Sequence, residues 1–210
     1  MKRLLVVMII VLAIPSVLLI TIKFRDTLPP PPGAVSMEYP LKNGKYLVTA
    51  SGSFLGIHRT PLEKYALDML RFPSFGSLLR FRQTNLVADE TYNTPVYGPC
   101  TGFVRKMRDG VDDQPIGIKN PKVPEGNFVV IRCPNFDVMM AHFKKGSFKI
   151  KVGDKVQVGG EIALIGNSGN TDGPHLHIMA YLTNDSTGEH TPLPITFDGK
   201  YLRSLDSFSQ

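Results

Sequence analysis

The most informative stretch of the 210-residue chain is residues 152–178, which read VGDKVQVGGEIALIGNSGNTDGPHLHI. Its glycines supply the tight turns of a hairpin-rich segment. The stretch ends in an H-x-H pair, His175 and His177, on a predicted strand. Side chains two residues apart on a strand project from the same face, so both imidazoles can reach one metal ion. An isolated H-x-H pair also fits exposed or hydrogen-bonded histidines, so the surrounding motifs decide between the two interpretations.

Short predicted strands accompany this stretch along the chain. They are rich in β-branched and aromatic residues and are separated by clusters of Gly, Pro, Asn and Asp. The candidates are residues 45–49, after the Asn43-Gly44 turn signal, and residues 65–70, 95–107, 127–133, 138–143, 161–165 and 176–181. The 19 glycines and 17 prolines also favour turns, and no long amphipathic helix is evident. The sequence therefore predicts one mainly β domain.

The N-terminal residues predict an exported, membrane-anchored protein. Residues 4–22 are an uncharged run between basic residues, and their length approaches the roughly 20 apolar residues that cross a bilayer. We therefore predict a signal anchor, a transmembrane segment, over residues 1–25. A cleaved signal peptide is the alternative, although no A-x-A site precedes Lys23. Residues 26–36 contain four consecutive prolines and predict a polyproline II linker, followed by an extracytoplasmic domain over residues 37–210.

The formal net charge of +6 suits anionic wall polymers, a phospholipid surface or nucleic acid. The basic residues are scattered along the chain, and no nucleic-acid-binding motif accompanies them. A solvated basic surface is the simplest interpretation. We therefore expect no nucleic-acid partner.

Two further segments extend the pattern upstream of residues 152–178. They are Thr94-Pro-Val-Tyr-Gly-Pro-Cys-Thr-Gly-Phe-Val104 and Met140-Ala-His-Phe143. In order and spacing, these segments resemble the lysostaphin-like zinc endopeptidases of the LytM type, and an ordered set of motifs is more specific than any one of them. The resemblance implies a compact antiparallel β-sandwich of the duplicated hybrid motif type, with Zn²⁺ in a groove over the sheet. It also implies hydrolysis of the peptide cross-bridges of bacterial peptidoglycan.

The resemblance also implies roles for individual residues. In that family the second histidine of H-x-H binds zinc and the first is catalytic, which transfers to His177 and His175. The histidine of a Y-x-H-L-like segment is the other catalytic residue and corresponds to His142, with Met140 where an aromatic residue often stands. Asp68 matches the aspartate that binds zinc.

The chain departs from the family pattern at the first zinc ligand. A histidine commonly stands four residues before the aspartate, but this chain has Lys64 there, and a protonated ammonium has no lone pair for a metal. Of the two unassigned histidines, His58 and His190, we predict that His58 is the ligand. A fully extended chain would place it about 33 Å from Asp68, so the prediction requires a chain reversal, which residues 59–61 can supply through a proline.

Two alternatives to this ligand stay open. Glu63 could bind the metal, although its odd offset from Asp68 points it to the opposite face of a regular strand. His58 could also be an ordinary loop histidine. A site of His58, Asp68 and His177 would leave one tetrahedral position for a water whose pKa zinc lowers to roughly 7. His142 would then act with the other catalytic histidine to orient that water, shuttle protons and stabilise the oxyanion.

Cys100 and Cys133 are the two cysteines of the chain, and an exported domain could oxidise them. Antiparallel pairing of residues 94–107 with residues 127–133 would bring Cys100 into the neighbourhood of Cys133. A disulfide and two buried free thiols both fit this placement.

Two rival functions are also weighed. Residues 152–166 are reminiscent of biotinyl and lipoyl carrier hairpins, but the tip, residues 166–173, lacks the exposed lysine that those carriers modify. A family member without catalysis, which binds wall or activates a separate amidase, is the second rival, and Lys64 favours it. The sequence leaves open which bond is cut and whether a regulatory protein partner controls the groove.

Overall fold

The structure is a computed structural model that describes residues 28–52, 57–72 and 90–210. Pro32–Gln210 form one compact unit. The predicted anchor, residues 1–25, lies outside the described residues, and none of the helices within them is long and apolar enough to cross a membrane. The first strand begins at Val35, inside the predicted linker.

Fourteen β-strands make up most of the regular structure in the described part of the chain. They are β1 (Val35–Met37), β2 (Lys45–Ser51), β3 (Leu67–Arg71), β4 (Pro95–Tyr97), β5 (Gly102–Arg108), β6 (Asn127–Arg132), β7 (Asp137–Phe143), β8 (Lys155–Val156), β9 (Glu161–Leu164), β10 (Leu176–Thr183), β11 (His190–Leu193), β12 (Ile195–Phe197), β13 (Lys200–Tyr201) and β14 (Ser207–Ser209). A short 3₁₀ helix, Pro61–Tyr65, precedes β3.

The strands form one large sheet and two small ones. The large sheet has the order β14-β2-β3-β10-β7-β6-β5-β8, and β11 pairs with β10 beside β3. The small sheets are β1-β12-β13 and β4-β9. Every described pair is antiparallel except β1 with β12. The prediction of a mainly β, antiparallel fold is therefore confirmed.

The main hydrophobic core lies on one face of the large sheet. Alternate strand residues point toward it, and residues of both small sheets join the same cluster. Fully buried members include Met69, Ile131, Met140, Ile178 and Phe197. The opposite face carries a smaller apolar cluster around Met139, Ala141 and Met179. This second face is the one that carries the candidate site.

The prediction of one strand over residues 95–107 is wrong, because the chain forms two strands in different sheets there. β4 pairs with β9, whereas β5 pairs with β6 and β8. Gly98 and Pro99 separate the two strands. Proline has no N–H to donate to a strand ladder. A Cβ at Gly98 would lie 2.6 Å from the Gln157 carbonyl oxygen, so a glycine is needed where these two backbone segments approach each other.

The strand predicted over residues 65–70 begins two residues later, at Leu67. Tyr65 belongs to the 3₁₀ helix instead, because local sequence favours a helix start. Thr60 is the N-cap, Pro61 follows it, and Glu63 completes a capping box with Thr60. This helix is the chain reversal that the position of His58 requires.

Cys100 and Cys133 form a disulfide, with 6.0 Å between their Cα atoms. Phe103 of β5 pairs with Arg132 of β6, so the bridge lies just beyond the paired ends of the two strands. It therefore links the start of β5 to the end of β6, as the antiparallel arrangement allows.

Replacing both cysteines with alanine is expected to destabilise the domain. The bridge spans a sequence separation of 33 residues. A loop of that size corresponds to about 3–4 kcal/mol of unfolding free energy, or roughly 10 °C in melting temperature. Urea unfolding of the oxidised parent and the double variant measures the difference. Dithiothreitol should lower the unfolding free energy of the parent to that of the variant and leave that of the variant unchanged. A parent whose unfolding free energy does not respond to reduction contradicts the prediction.

Candidate metal centre

Three side chains from distant parts of the sequence come together above the second face of the large sheet. His58, Asp68 and His177 are all buried, and one potential ligand atom from each lies within 4.8 Å of the others. Asp68 Oδ1 lies 3.2 Å from His58 Nε2 and 2.9 Å from His177 Nδ1. Two imidazole nitrogens and one carboxylate oxygen are a donor set that suits zinc. The structure thus brings together the three ligands that we predicted.

Strand register places Asp68 and His177 side by side. β3 and β10 are antiparallel neighbours, and these two residues are direct partners in the ladder. Their neighbours along each strand, such as Leu67 and Ile178, are buried in the main core. Because successive side chains alternate between faces, Asp68 and His177 both project from the opposite face.

His58 reaches the same point through the chain reversal before β3. Its Nδ1 lies 3.0 Å from the carbonyl oxygen of Gly52, which can only accept, so Nδ1 carries the proton and Nε2 keeps its lone pair. Nε2 is buried and lies 3.2 Å from Asp68 Oδ1, in a contact that is poorly aligned for a hydrogen bond. In the neutral ring, a buried imidazole lone pair beside a carboxylate and a second imidazole fits a metal ligand. The residues present therefore fit zinc.

Three other polar side chains, those of Glu63, Lys64 and His190, have their contacts outside this group. Glu63 Oε2 lies 3.0 Å from the backbone nitrogen of Thr60 and 2.9 Å from its hydroxyl oxygen, so this carboxylate serves as a helix cap. Lys64 has its ammonium 5.1 Å from the centre of the Tyr65 ring. The exposed His190 packs against Tyr181, with 4.6 Å between the ring centroids.

His142 lies beside this group because β7 contains a bulge. Residues on either side of His142 pair with consecutive residues of β6, so His142 has no partner of its own in the ladder. Its φ of 66° lies in the left-handed region, which is uncommon for a residue other than glycine. The bulge turns the imidazole to the groove face, where its centroid lies 4.7 Å from that of His175 and 5.9 Å from that of His177. The sequence does not reveal this bulge.

His142 and His175 present the same ring nitrogen to the site. His142 Nδ1 donates to the carbonyl oxygen of Ser168 at 2.8 Å, and His175 Nδ1 donates to that of Gly173 at 2.9 Å. Each imidazole therefore keeps Nε2 as an acceptor while it is neutral. His175 Nε2 lies 3.6 Å from Asp68 Oδ1, which places both predicted catalytic histidines around the metal centre.

Burial and neighbouring charges set the protonation states. Burial raises the pKa of Asp68, but the nearby imidazoles of His175, His177 and His58 outweigh burial and hold it well below its usual value. Burial lowers the pKa of His142 well below its usual value, and positive charge on His175 and His177 would lower it further. Burial lowers the pKa of His58, but Asp68 outweighs this effect and raises it. The site therefore combines an ionised carboxylate with a neutral His142.

A groove of about 1170 Å³ contains these five residues. Its lining also includes Met139, Ala141 and Met179 of the smaller apolar cluster, together with Ile57 and Ile116. A concave site that combines apolar lining with a few convergent polar side chains is typical of a binding site.

Ser168 is a residue of the site that sequence reasoning missed. Its carbonyl accepts from His142, and its hydroxyl bonds to backbone groups of both β6 and β7. Residues 166–173 were interpreted only as a turn-rich tip. No signal in one sequence distinguishes Ser168 from any other loop serine, because its function depends on where the bulge falls.

A curated relative and solved structures resemble the chain. An uncharacterized metalloprotease of Buchnera aphidicola subsp. Baizongia pistaciae is 31% identical over 155 residues, which cover 70% of this chain and 39% of the relative. This chain therefore spans about two fifths of that protein's length. A LytM structure from Ruminococcus gnavus matches at 18% identity and a TM-score of 0.49, over 74% of this chain and 56% of that one.

Two further solved structures also resemble the chain. The catalytic domain of the prophage-encoded M23 protein EnpA from Enterococcus faecalis is 18% identical, with a TM-score of 0.47 over 73% of this chain and 92% of that one. A zinc containing peptidase from Vibrio cholerae is 19% identical, with a TM-score of 0.42 over 76% of this chain and 39% of that one. The model of peptidase family M23 matches residues 84–188, half of the chain. This span contains three of the five clustered residues, and the chain belongs to peptidase family M23.

Proposed function

We propose that the protein is a zinc-dependent endopeptidase that hydrolyses peptide cross-bridges of bacterial peptidoglycan. The observation that carries the proposal is the convergence of His58, Asp68 and His177 on one buried point, with one potential ligand atom from each within 4.8 Å of the others. Membership of family M23 supports a peptidase, and the net charge of +6 suits an anionic wall substrate.

The three residues would hold zinc with two nitrogens and one oxygen, the three-ligand set that is usual in catalytic zinc sites. When bound, zinc supplies a Lewis acid for the scissile carbonyl and a water with a pKa of about 7. Asp68 remains ionised because of the surrounding imidazoles, so it contributes negative charge to the cation site.

His142 and His175 would move the protons of the reaction. Each neutral imidazole can accept the proton of the attacking water at Nε2 because Nδ1 is already committed to a backbone carbonyl. The protonated ring can then stabilise the oxyanion and return the proton to the leaving amine. Burial favours the neutral form of His142 at rest, which is the form that accepts a proton.

We further propose that residues 1–25 anchor this domain to the extracytoplasmic side of a membrane. The uncharged run over residues 4–22 supports the anchor. The disulfide between Cys100 and Cys133 supports an oxidising compartment, because disulfides are rare in the cytosol. Fractionation of cells that produce the full chain, with protease added outside the membrane, tests both statements. Recovery of the domain in a protease-resistant cytosolic fraction contradicts them.

The full chain, purified in detergent and loaded with zinc, is expected to release soluble fragments from purified sacculi. Mass spectrometry of the fragments should identify a new amino terminus and a new carboxyl terminus at one peptide bond. A chelator should stop release, and added zinc should restore it, because the metal is required. Sacculi that are bound but never cut by fully zinc-loaded protein would instead support a wall-binding or amidase-activating module.

A further inference from the structure

The orientation of His142 needs an explanation beyond strand alternation. Its neighbour Phe143 is fully buried in the main core, with its ring 5.0 Å from that of Phe148. A regular strand would place the side chains of His142 and Ala141 on opposite faces, yet both line the groove. The bulge and the positive φ of His142 resolve this, and such a backbone persists where its surroundings hold it.

Ser168 supplies three of the bonds that hold the bulge. Its hydroxyl donates to the carbonyl oxygen of Phe143 at 2.8 Å and accepts from the backbone nitrogen of Asn127 at 2.9 Å. Its carbonyl oxygen accepts from His142 Nδ1 at 2.8 Å. One fully buried residue therefore ties β6 to β7 at the bulge and fixes the proton on the imidazole.

Asn127 completes this arrangement from the side of β6. Its amide nitrogen donates to the carbonyl oxygens of Phe143 and Val111, at 2.9 and 2.8 Å, and its amide oxygen accepts from the backbone nitrogen of Val111 at 2.8 Å. Asn127 is fully buried, and its bond to Phe143 is made away from water. The carbonyl of Phe143 thus receives two donors, which fixes the backbone directly after His142.

The two backbone segments meet so closely that glycines are required between them. A Cβ at Gly126 would lie 2.2 Å from the carbonyl oxygen of Ser168, and a Cβ at Gly169 would lie 2.5 Å from the backbone nitrogen of Gly126. Both glycines have positive φ. This close approach brings Ser168 within hydrogen-bonding distance of both strands.

We propose that Ser168 is a positioning residue for His142 and that Asn127 supports it. The hydroxyl of Ser168 fixes the bulge that aims the imidazole, and its carbonyl fixes the proton on Nδ1, which leaves Nε2 facing the reaction. The effect on hydrolysis rests on the proposed function. The effect on the proton position in the His142 ring does not depend on the proposed function.

Ser168→Ala is expected to lower kcat about 10–100-fold with KM little changed, because an error near 1 Å in a reacting group costs about that much. Zinc content should stay at the parent level, since no metal ligand bonds to Ser168. The matched control is Ser147→Ala. Its hydroxyl also donates to a backbone carbonyl, that of Lys144 at 2.8 Å, and accepts from a backbone nitrogen, that of Leu164, but it makes no hydrogen bond to His142 or Phe143.

The control variant should lose a similar few degrees of melting temperature and retain parental kcat. Equal kcat values in the two variants would overturn the proposal, as would zinc loss in Ser168→Ala. Ser168→Thr keeps the hydroxyl and should retain parental kcat. A loss in Ser168→Thr as large as that in Ser168→Ala would also overturn the proposal, and this comparison remains decisive if the alanine variant fails to fold.

Long-range ¹H–¹⁵N spectra of the imidazole rings separate this proposal from the proposed function. In the zinc-loaded parent, His142 should show a single form protonated at Nδ1, and in Ser168→Ala a mixture of ring forms is expected. If the parent cuts no substrate, the proposed function fails while this measurement still tests the positioning role. An unchanged single form in the alanine variant would overturn it.

Discussion

His58→Ala is expected to remove both zinc and hydrolysis. Asp68 and His177 alone would give the metal two protein ligands, whereas catalytic zinc sites usually have three. Metal analysis after dialysis should fall from about one zinc per chain to less than about a tenth, and hydrolysis should fall at least about 100-fold. His177→Ala should behave in the same way, because this residue supplies the other imidazole of the group.

Two control variants separate a ligand effect from general damage. Lys64→Ala removes the residue that stands where a histidine ligand was expected, but its ammonium packs on the Tyr65 ring. His190→Ala removes an exposed histidine that packs on Tyr181. Neither side chain belongs to the group that could hold a metal, so both variants should keep parental zinc and activity.

The assignment of His58 fails if His58→Ala keeps full zinc and full activity. The same result, combined with zinc loss in Glu63→Ala, would move the third ligand to Glu63. That outcome would require Glu63 to leave its bonds to the N-cap residue Thr60. A parent protein that holds no zinc in metal-replete, neutral buffer would defeat the enzyme hypothesis and favour the wall-binding module.

Those parts of the site that depend on strand periodicity could be predicted from sequence. Asp68 and His177 share a face because each lies between two core residues on its own strand, and apolar residues mark those positions in the sequence. The antiparallel ladder then makes them partners. Register of this kind is strongly specified when one face is buried.

The position of His58 depends on local helix signals that the sequence also contains. Thr60, Pro61 and Glu63 form a capping box with proline at the first helical position, and this reverses the chain. The proline predicts the reversal but not the 3₁₀ helix, and the sequence pattern predicts a strand at residue 65. Intrinsic propensities alone do not decide whether such residues form a capped helix or the start of a strand.

The bulge at His142 and the break within residues 95–107 could not be predicted from the sequence, for a different reason. Both depend on the approach of a second backbone, that of Ser168 in one case and that of Gln157 in the other. Tertiary contacts of this kind leave no periodic pattern in one sequence. The family resemblance predicts that His142 is catalytic, but it does not explain how a strand of buried residues presents that side chain to the groove.

His142→Ala and His175→Ala are expected to abolish detectable hydrolysis while each variant keeps about one zinc per chain. Neither residue contributes an atom to the group of His58, Asp68 and His177, so metal affinity should be nearly unchanged. Proton transfer by a positioned imidazole contributes typically about 10²–10⁴-fold to a rate, and each variant should lose at least that much in kcat.

His175 provides the sharper half of this test because its Nε2 lies 3.6 Å from Asp68 Oδ1, whereas His142 has no direct contact of that kind with the carboxylate. If His175→Ala loses zinc and His177→Ala keeps it, the ligand and the catalytic residue have been exchanged within the H-x-H pair. Side-chain alternation cannot decide between them, since both histidines project from the same face. The distances differ, since His177 Nδ1 lies 2.9 Å from Asp68 Oδ1 and His175 Nε2 lies 3.6 Å from it, and the group of side chains close enough to share one metal ion contains His177.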